Sequence, residues 1–380
     1  MRSLMRLHPL DPILATIMRR RAAAGKRPSP VHAFAPDRVA RILIVSTTGL
    51  GDTLFATPAW RALRQRYPAA RIVGHVREKF VPLFDDNPHL DAIIPYAGGY
   101  RCFFGTVKAF RRERFDLVLI FHGMGPQAIP MAVLSDAPFV IRIPNSGEYG
   151  YLLSNAEPSL ENLPYPGEHA IRCRLRIAGM VDAKSDDVRM ILPVTPEDRE
   201  AAHALLVQAG VDAHTPTAGL VPGAATVFKQ WPAERFVAAA RGLLDGRSGW
   251  RLVVLGSMEE RGLAAEVARA LGPVAVTLAG RADLRALRGL IAGLRLLVTN
   301  DTGPLHIAVA VETPTVSLFG ATDSRGTGPL QDLERHVVLQ RPAPVWDTRN
   351  IQRRNNLPMY RIEVDDVVAA GRELLARVGS

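Results

Sequence analysis

Apolar runs of four or five residues alternate along the chain with stretches whose apolar positions repeat at helical spacing. In the first half, the runs predict buried strands at 41–45, 71–75, 92–95, 117–121 and 140–143. The intervening stretches predict helices near 53–67, 77–86, 104–114, 127–134 and 169–180. Strands that alternate with helices in this way are typical of parallel sheets with crossover helices.

The pattern starts again after a segment at 144–168 that is rich in Pro, Gly, Asn and Glu. The second set of predicted elements comprises a helix at 196–209, strands at 218–221, 251–255, 274–278, 295–299 and 315–319, and helices near 233–244, 259–270, 283–292, 304–311 and 364–378. We therefore predict an α/β fold with two Rossmann-like doubly wound domains that face a cleft. The expected divisions are a basic arm at 1–35, domains at 36–195 and 196–345, and a crossing segment with a C-terminal helix at 346–380.

Two such domains suit three classes of protein: a two-Rossmann glycosyltransferase, a periplasmic-type binding protein and a two-domain dehydrogenase. Ligands of open α/β sheets lie at the carboxyl ends of the strands, so the loops at those ends should carry the chemistry. A dehydrogenase needs a complete G-x-G-x-x-G with an acidic residue about 20 positions later. Neither feature follows Val45, which argues against the dehydrogenase class.

Composition narrows the class of protein further. The 380 residues are 47% hydrophobic and 22% charged, which suits two globular domains with their own cores. No apolar run approaches the roughly 20 residues that span a bilayer, and no signal-peptide pattern opens the chain. The two cysteines, Cys102 and Cys173, are too few for a disulfide scaffold or a zinc site. We expect a cytoplasmic protein.

Basic residues are concentrated at the start of the chain. The net charge is +10, and residues 1–35 carry seven Arg and Lys residues against Asp11 alone. Five apolar residues of this arm fall at helical spacing on one face: Leu10, Ile13, Leu14, Ile17 and Met18. Such a stripe beside arginines resembles an interfacial helix on an anionic membrane surface, and an arm that packs the stripe on the protein body fits equally well. Nucleic acid is disfavoured as a partner, because no recognised fold or interleaved aromatic residues accompany the charge.

The most informative loop follows the predicted strand at 295–299 and reads Asn300-Asp301-Thr302-Gly303-Pro304-Leu305-His306. Pro304 suits the first position of a helix, where its missing N–H costs little. A strand that turns onto a helix start directs free N–H groups and the positive end of the helix dipole to one spot, which suits a phosphate. Thr302 and Gly303 would lie at that spot. His306 could contact a phosphate or a sugar, although a lone His on a helix is more often structural.

The loop after the first strand, Gly49-Leu50-Gly51-Asp52-Thr53, is rich in glycine but lacks the lysine of a P-loop. Its informative residue is Asp52, at the start of a predicted helix. Two interpretations have equal weight on local grounds. Asp52 is either the N-cap of that helix or a carboxylate that accepts a proton from a substrate.

Two loops of the second half follow strands in the same way. In the loop at 221–232, Thr226 and Lys229 would offer a hydroxyl and an ammonium group to a diphosphate. The alternative that Lys229 is an ordinary surface lysine has about equal weight. In the loop at 256–260, Glu259 and Glu260 would accept hydrogen bonds from ribose hydroxyls. The alternative is that both glutamates simply place negative charge in the first turn of a helix.

Together these loops resemble glycosyltransferase family 9, the ADP-heptose:lipopolysaccharide heptosyltransferases. The resemblance covers residues 39–330 in one order. It is carried by the motifs Arg41-Ile42-Leu43-Ile44, Gly49-Leu50-Gly51-Asp52, Thr57-Pro58-Ala59, Tyr67-Pro68, Pro222-Gly223-Ala224, Lys229-Gln230-Trp231-Pro232, Leu255-Gly256-Ser257, Asn300 to His306, Leu318 to Asp323 and Gly328-Pro329. Five matched loops are far more specific than any one of them.

The resemblance implies an inverting, metal-independent sugar transfer on a GT-B type fold, with no cofactor because the nucleotide sugar is a substrate. It implies an ADP-sugar donor in the C-terminal half and a glycolipid acceptor in the N-terminal half, at the inner face of the cytoplasmic membrane. The implied site residues are Asp52 as general base; Gly49 and Gly51 in the acceptor-side loop; Thr226, Lys229, Thr302 and Gly303 at the donor phosphates; and Asp301, Glu259, Glu260 and His306 at the donor sugar and ribose.

The chain also departs from the family pattern. The basic arm precedes the usual family start, Pro144 stands where glycine is commoner, and the region 340–358 lacks cysteines that some members carry. Acceptor and donor sugar therefore stay open, and another nucleotide sugar is an alternative to ADP-heptose. A non-catalytic nucleotide-sugar-binding module is a further alternative, which would keep the second-half loops and have no need of Asp52.

Overall fold

Two parallel sheets account for the alternating pattern, and each belongs to its own part of the chain. The structure is a computed structural model in which residues 8–123, 126–143, 148–157, 167–212, 214–320, 322–341 and 358–378 are described. The chain divides into unit 1, Met1–Val188, and unit 2, Arg189–Ser380. Pro144 and most of the region 340–358, two of the departures noted above, lie outside the described residues.

In unit 1 the five strands are parallel and follow the order β3-β2-β1-β4-β5. They are β1 (Arg41–Ser46), β2 (Arg71–Arg77), β3 (Ala92–Tyr96), β4 (Leu117–His122) and β5 (Phe139–Arg142). The described helices are α1 (Asp11–Ala23), α2 (Leu50–Leu54), α3 (Thr57–Arg66), α4 (Val81–Phe84), α5 (Phe103–Glu113), α6 (Ala128–Leu134) and α7 (Ala170–Gly179). Strand β1 is buried from Ile42 to Ser46, as expected for a parallel strand covered on both faces.

In unit 2 six parallel strands follow the order β11-β10-β9-β6-β7-β8. They are β6 (Thr217–Val221), β7 (Arg251–Val254), β8 (Ala275–Thr277), β9 (Leu296–Asn300), β10 (Thr315–Phe319) and β11 (His336–Gln340). The described helices are α8 (Pro196–Gln208), α9 (Ala233–Leu244), α10 (Arg261–Leu271), α11 (Leu284–Gly293), α12 (Gly303–Ala310), α13 (Ser324–Thr327) and α14 (Val364–Val378). The predicted doubly wound α/β class is confirmed in both units.

The sequence order of the strands reverses at one place in each sheet. In unit 1 the reversal lies between β1 and β4, and in unit 2 it lies between β9 and β6. The loops that leave two such neighbouring strands turn to opposite faces of the sheet and open a crevice at the strand ends. The loop that contains Asp52 follows β1, while those that contain Lys229 and Asp301 follow β6 and β9. Candidate residues therefore lie at the switch point of each sheet.

Several elements differ from their prediction, among them the helix predicted near 77–86, which is a 3₁₀ turn at Glu78–Phe80 followed by the short α4. The helix predicted at 53–67 is divided into α2 and α3, because Pro58 near the start of α3 has no N–H to continue a helical ladder. The hydroxyl of Thr57 instead donates to the carbonyl of Leu54 across the break. Strand β11 is an additional strand, parallel to β10 at the edge of its sheet.

The helix of the basic arm, α1, divides its apolar stripe between the core and the surface. Leu14 and Met18 lie in the buried cluster that also holds Leu43 and Val118 of the sheet. Leu10, Ile13 and Ile17 are exposed. Part of the stripe thus packs on the protein body, and α1 packs as a helix of unit 1. The interfacial interpretation of its exposed residues stays a prediction. No described helix is long and apolar enough to cross a membrane.

Replacement of Met18 by Ala should reveal how firmly α1 is integrated into unit 1. Met18 is fully buried, so the cavity left by truncation should lower the free energy of unfolding by about 2–5 kcal/mol. Ile17→Ala is the matched control, because Ile17 is exposed and its loss should change stability by less than about 0.5 kcal/mol. Hydrogen exchange of the β1 amides in both variants measures the effect within unit 1. Equal protection in the two variants would show that α1 does not contribute to the core.

Candidate active site

In unit 1, Asp52 lies in the first turn of α2 but does not cap it. Gly49 occupies the N-cap position with an extended backbone, φ −77° and ψ 162°. A Cβ at Gly49 would lie 3.3 Å from the Asp52 carboxylate, so a glycine at this position leaves room for that group. The interpretation of Asp52 as the N-cap is therefore wrong, and its carboxylate is directed to side chains from other elements.

Three side chains form one polar network with this carboxylate. The Thr48 hydroxyl donates to Asp52 Oδ2 at 3.0 Å, and Arg174 Nη2 on α7 donates to Asp52 Oδ1 at 3.1 Å. His122 at the end of β4 places Nδ1 2.6 Å from the same Thr48 hydroxyl and Nε2 3.7 Å from Asp52 Oδ1. The Asp52 carboxylate is thus oriented by two donors.

Proton placement in this network follows from the single hydroxyl proton of Thr48. When Thr48 donates to Asp52, it must accept from His122 Nδ1–H, which leaves Nε2 of a neutral His122 as an acceptor. Burial lowers the pKa of His122, and the nearby Asp52 opposes that effect. Two acceptors, Nε2 and Asp52 Oδ1, then lie 3.7 Å apart, beyond hydrogen-bond distance. A substrate hydroxyl near these atoms would find an acceptor at Asp52.

Burial and exposure separate the roles of the two charged groups. The Arg174 side chain is 7% exposed, and that burial lowers the pKa of its guanidinium, whereas Asp52 raises it. The Asp52 side chain keeps 32% of its surface exposed. The arginine therefore acts as a buried counter-ion, and the carboxylate remains accessible to a molecule from solvent. Thr48, His122 and Arg174 were not among the predicted site residues; the position of His122 at a strand end was the available signal.

In unit 2, the amide of Asn300 joins the loops at the switch point. Its Nδ2 group donates to the carbonyls of Pro222 at 2.9 Å and Gly223 at 3.2 Å. Its Oδ1 atom accepts from the backbone N–H of Trp231 at 3.1 Å. Asn300 is completely buried. One side chain at the end of β9 thus anchors both ends of the loop that carries Thr226 and Lys229.

Lys229 and Asp301 meet directly in this crevice. Lys229 Nζ lies 2.6 Å from Asp301 Oδ2, and the Thr322 hydroxyl donates to the same oxygen at 2.8 Å. His306 Nε2 lies 3.9 Å from Asp301 Oδ1, and its ring is buried. Gln340 on β11 donates to the carbonyl of Thr322 at 2.6 Å and so holds Thr322 in place beside Asp301. Thr322 and Gln340 are further residues that the sequence prediction of site residues did not include.

Thr302 and Gly303 lie where a helix begins beside this pair. Thr302 is the N-cap of α12 and Gly303 is its first residue, with Pro304 next. The Thr302 side chain makes no capping hydrogen bond, and both residues are partly exposed. The hydroxyl and the first N–H groups of α12 are consequently placed to meet an anion beside Lys229.

The two predicted ribose glutamates differ in their surroundings. Glu260 accepts from the backbone N–H of Ser257 at 2.7 Å, and its carboxyl group approaches the loop at 221–232. A Cβ at Gly223 would lie 2.3 Å from the Glu260 carboxyl carbon, so this close approach requires glycine there. Glu259 is exposed, as is Thr226, the N-cap of a short 3₁₀ turn that ends at Lys229. Glu260 thus reaches the Asn300-anchored loop at Gly223.

Other features of the described residues lie apart from these groups. Among the residues described, no three His, Cys, Asp or Glu side chains cluster as metal ligands. A cavity of about 510 Å³ lies at the amino ends of the unit 2 strands, where Thr217, Arg295 and Arg335 line it. The candidate loops follow the carboxyl ends of the same strands, so this cavity is at the opposite edge of the sheet.

Comparisons with known proteins agree with the family resemblance. The model of glycosyltransferase family 9 (heptosyltransferase) matches residues 145–354, more than half of the chain. Lipooligosaccharide heptosyltransferase 2 of Haemophilus influenzae is 28% identical over 308 residues, which are 77% of this chain and 86% of that protein. Lipopolysaccharide heptosyltransferase 3 of Escherichia coli is 27% identical over 339 residues, which are 86% of this chain and 96% of that protein. The solved E. coli ADP-heptose lps heptosyltransferase II has a TM-score of 0.73 at 21% identity, covering 90% of this chain and all of that one.

Replacement of Asn300 by Leu should destabilise unit 2 strongly. The change leaves the Trp231 N–H and the carbonyls of the neighbouring loop buried without their partner, at a cost of about 2–4 kcal/mol in the free energy of unfolding. Thr299→Val is the matched control, because Thr299 is equally buried but makes one hydrogen bond, to the Asn300 carbonyl at 3.0 Å. Its loss should cost about 1 kcal/mol. Urea denaturation of both variants measures the difference, and equal losses would contradict an anchoring role for Asn300.

Proposed function

This chain belongs to glycosyltransferase family 9, and we propose that it transfers a heptose from ADP-heptose to a lipopolysaccharide-core glycolipid. The names of the relatives support the sugar and the class of acceptor. The observation that carries the proposal is a pair of switch-point sites within one chain. Unit 1 holds a partly exposed carboxylate oriented by buried donors, and unit 2 holds a lysine beside a free helix start.

The donor diphosphate would bind at the Lys229 end of the unit 2 crevice. In this structure Lys229 is paired with Asp301. A diphosphate would compete for the ammonium group, since charge-assisted bonds to phosphate are strong, and would receive further donors from Thr302, Gly303 and Thr226. Release of Lys229 leaves the Asp301 carboxylate available to accept hydrogen bonds from sugar hydroxyls. Glu260, with Glu259 as the alternative, would accept from the ribose, and His306, whose Nε2 lies 3.9 Å from Asp301 Oδ1, would contact the donor sugar.

The acceptor would be activated by Asp52 in unit 1. In an inverting transfer, the acceptor oxygen forms a bond to the anomeric carbon as the bond from that carbon to the diphosphate breaks. The hydroxyl proton passes to Asp52, and the diphosphate leaves with the electron pair of the broken bond. Proton removal in the transition state is typically worth about 10²- to 10⁴-fold. Gly49 and Gly51 have no side chains, so this loop would leave room for an acceptor beside Asp52.

The charge that develops on the leaving diphosphate would be met by Lys229 and the N–H groups of α12. Such preorganised donors stabilise the transition state without a rearrangement at the moment of reaction. The transfer we propose is accordingly independent of metal and needs no cofactor beside the nucleotide sugar. We further propose that it takes place in the cytoplasm, at the inner face of the membrane that holds the acceptor.

A non-catalytic nucleotide-sugar-binding module is the competing proposal. Such a module would use the unit 2 loops in the same way. It gives no reason for a buried arginine to orient a partly exposed carboxylate in unit 1. A family member that uses another nucleotide sugar differs instead in the groups around Asp301, where the sugar would bind. Activity with a panel of nucleotide sugars separates these alternatives.

Asp52→Asn should cut turnover by about a hundredfold or more while ADP affinity stays within about twofold. The amide keeps the shape of the carboxylate but accepts protons very poorly. Because the change leaves the Arg174 charge without its partner, the double variant Asp52→Asn, Arg174→Met serves as the control for stability. Steady-state transfer rates, ADP calorimetry and melting temperatures are measured on all three proteins.

Two outcomes would count against Asp52 as the base. Near wild-type turnover in Asp52→Asn would reduce the residue to a structural role. Recovery of turnover in the double variant, together with recovered stability, would show that the single variant failed through an unpaired buried charge.

Lys229→Met should weaken ADP binding by about ten- to a hundredfold, because a charge-assisted bond to the diphosphate is lost. Asp301→Asn should bind ADP as tightly as wild type or more tightly. The reason is that the diphosphate no longer has to break an ion pair between Lys229 and a carboxylate. Its transfer rate should nevertheless fall, because the acceptor for the sugar hydroxyls is lost. Lys184→Met in unit 1 is the control for general loss of charge. Unchanged ADP affinity in Lys229→Met would remove Lys229 from the donor site.

A further inference from the structure

Helices α1 and α5 of unit 1 are connected by polar contacts near both of their ends and share one buried apolar cluster. Near their amino ends, the Tyr100 hydroxyl, three residues before α5, donates to the carboxylate of Asp11, the first residue of α1. Near their carboxyl ends, the Asp136 carboxylate forms ion pairs with Arg21 of α1 and Arg111 of α5. The distances are 2.5 Å from Oδ1 to Arg21 Nη2 and 3.0 Å from Oδ2 to Arg111 Nε. Because these contacts join the amino ends to each other and the carboxyl ends to each other, the two helices run in the same direction. Their exposed residues are together called the α1–α5 face.

Large apolar side chains project from this face. Ile13 and Ile17 of α1 are 56% and 43% exposed, and Phe104 of α5 is 75% exposed. Leu10, just before α1, is also exposed. Of the five large apolar residues that are exposed among the described residues of unit 1, only Tyr151 lies elsewhere. Such a concentration is unusual for a surface that faces water alone.

Positive charge surrounds these apolar residues. The exposed basic residues on or next to the two helices are Arg19, Arg20, Lys26, Arg27, Arg101, Lys108, Arg112 and Arg114, together with Arg111, which pairs with Asp136. The nearby carboxylates are already engaged: Asp11 is buried against Tyr100, Asp136 binds two arginines, and Glu113 pairs with Arg71. The α1–α5 face therefore combines an apolar centre with a positive rim.

We propose that the α1–α5 face binds the surface of an anionic phospholipid bilayer. Ile13, Ile17 and Phe104 would enter the boundary between headgroups and acyl chains, as the apolar side of an interfacial helix does. The arginines and lysines would meet the lipid phosphates. A second copy of the chain fits less well, because a symmetric pairing would bring the same positive rim against itself. This inference deepens the proposed function, whose glycolipid acceptor lies in a bilayer, and involves neither Asp52 nor Lys229.

The test is sedimentation of the full chain with vesicles. One set is phosphatidylcholine alone, and the other contains equal parts of phosphatidylcholine and phosphatidylglycerol. An apolar variant carries Ile13→Ser, Ile17→Ser and Phe104→Ser, and a charge variant carries Arg20→Gln, Lys108→Gln and Arg112→Gln. The matched control carries Val207→Ser, Arg261→Gln and Arg269→Gln, all at exposed positions of unit 2.

Wild type and control should bind the anionic vesicles, with weaker binding as salt is raised and little binding to phosphatidylcholine alone. The charge variant should bind roughly a hundredfold more weakly, from about fivefold for each lost charge. The apolar variant should lose at least about tenfold. Melting temperatures should match wild type, because every substituted side chain is exposed.

Three results would overturn the proposal: no binding of wild type to anionic vesicles, equal binding to both vesicle types, or equal binding by wild type and both face variants. Self-association that is abolished by the apolar variant would assign the face to a second copy instead. Transfer to a water-soluble acceptor fragment should be the same in wild type and face variants. If wild type did not transfer sugar to that fragment, the result would contradict the proposed function. It would not contradict the binding of the α1–α5 face to vesicles.

Discussion

In both sheets the strand order reverses between two neighbouring parallel strands, and the loops that leave those strands must diverge. The rest of the candidate site depends on that constraint. In unit 2 the buried amide of Asn300 then fixes the crevice, because it binds backbone groups at both ends of the loop after β6. With that loop anchored, Lys229 is held 2.6 Å from Asp301 and beside the start of α12. In unit 1 the same reversal brings the loop after β1 to the end of β4, where His122 and Thr48 meet.

Both sites contain charges that are paired but unequally buried. Arg174 and Asp301 are nearly inaccessible, whereas Asp52 and Lys229 keep about a third and a quarter of their side chains exposed. A buried partner that is hydrogen-bonded in a fixed place orients the exposed group at a desolvation cost that the fold must offset. Orientation before the substrate arrives is what an enzyme needs for electrostatic stabilisation of a transition state. The pairs are therefore better explained by function than by stability.

The strands and the loops that follow them could be predicted from the sequence, because buried parallel strands leave continuous apolar runs and their carboxyl ends share one edge. The partners of Asp52 could not. Arg174 is 122 positions away on a helix, where its spacing is that of an ordinary inward residue, and only packing brings it to the carboxylate. Helical periodicity likewise placed Leu14 and Ile17 in one stripe. Which of them faces the core depends on how Asp11 and Arg21 tie α1 to its neighbours.

The most direct test of the account is a crystal structure of the full chain with ADP. We expect the diphosphate at the carboxyl ends of β6 and β9, with one phosphate oxygen on Lys229 Nζ, another on the Gly303 N–H, and the Lys229–Asp301 contact broken. Nucleotide bound instead at the opposite edge of the sheet, in the cavity lined by Arg295 and Arg335, would contradict the assignment of the switch-point loops to the donor. So would a diphosphate in the crevice that leaves Lys229 and Asp301 paired.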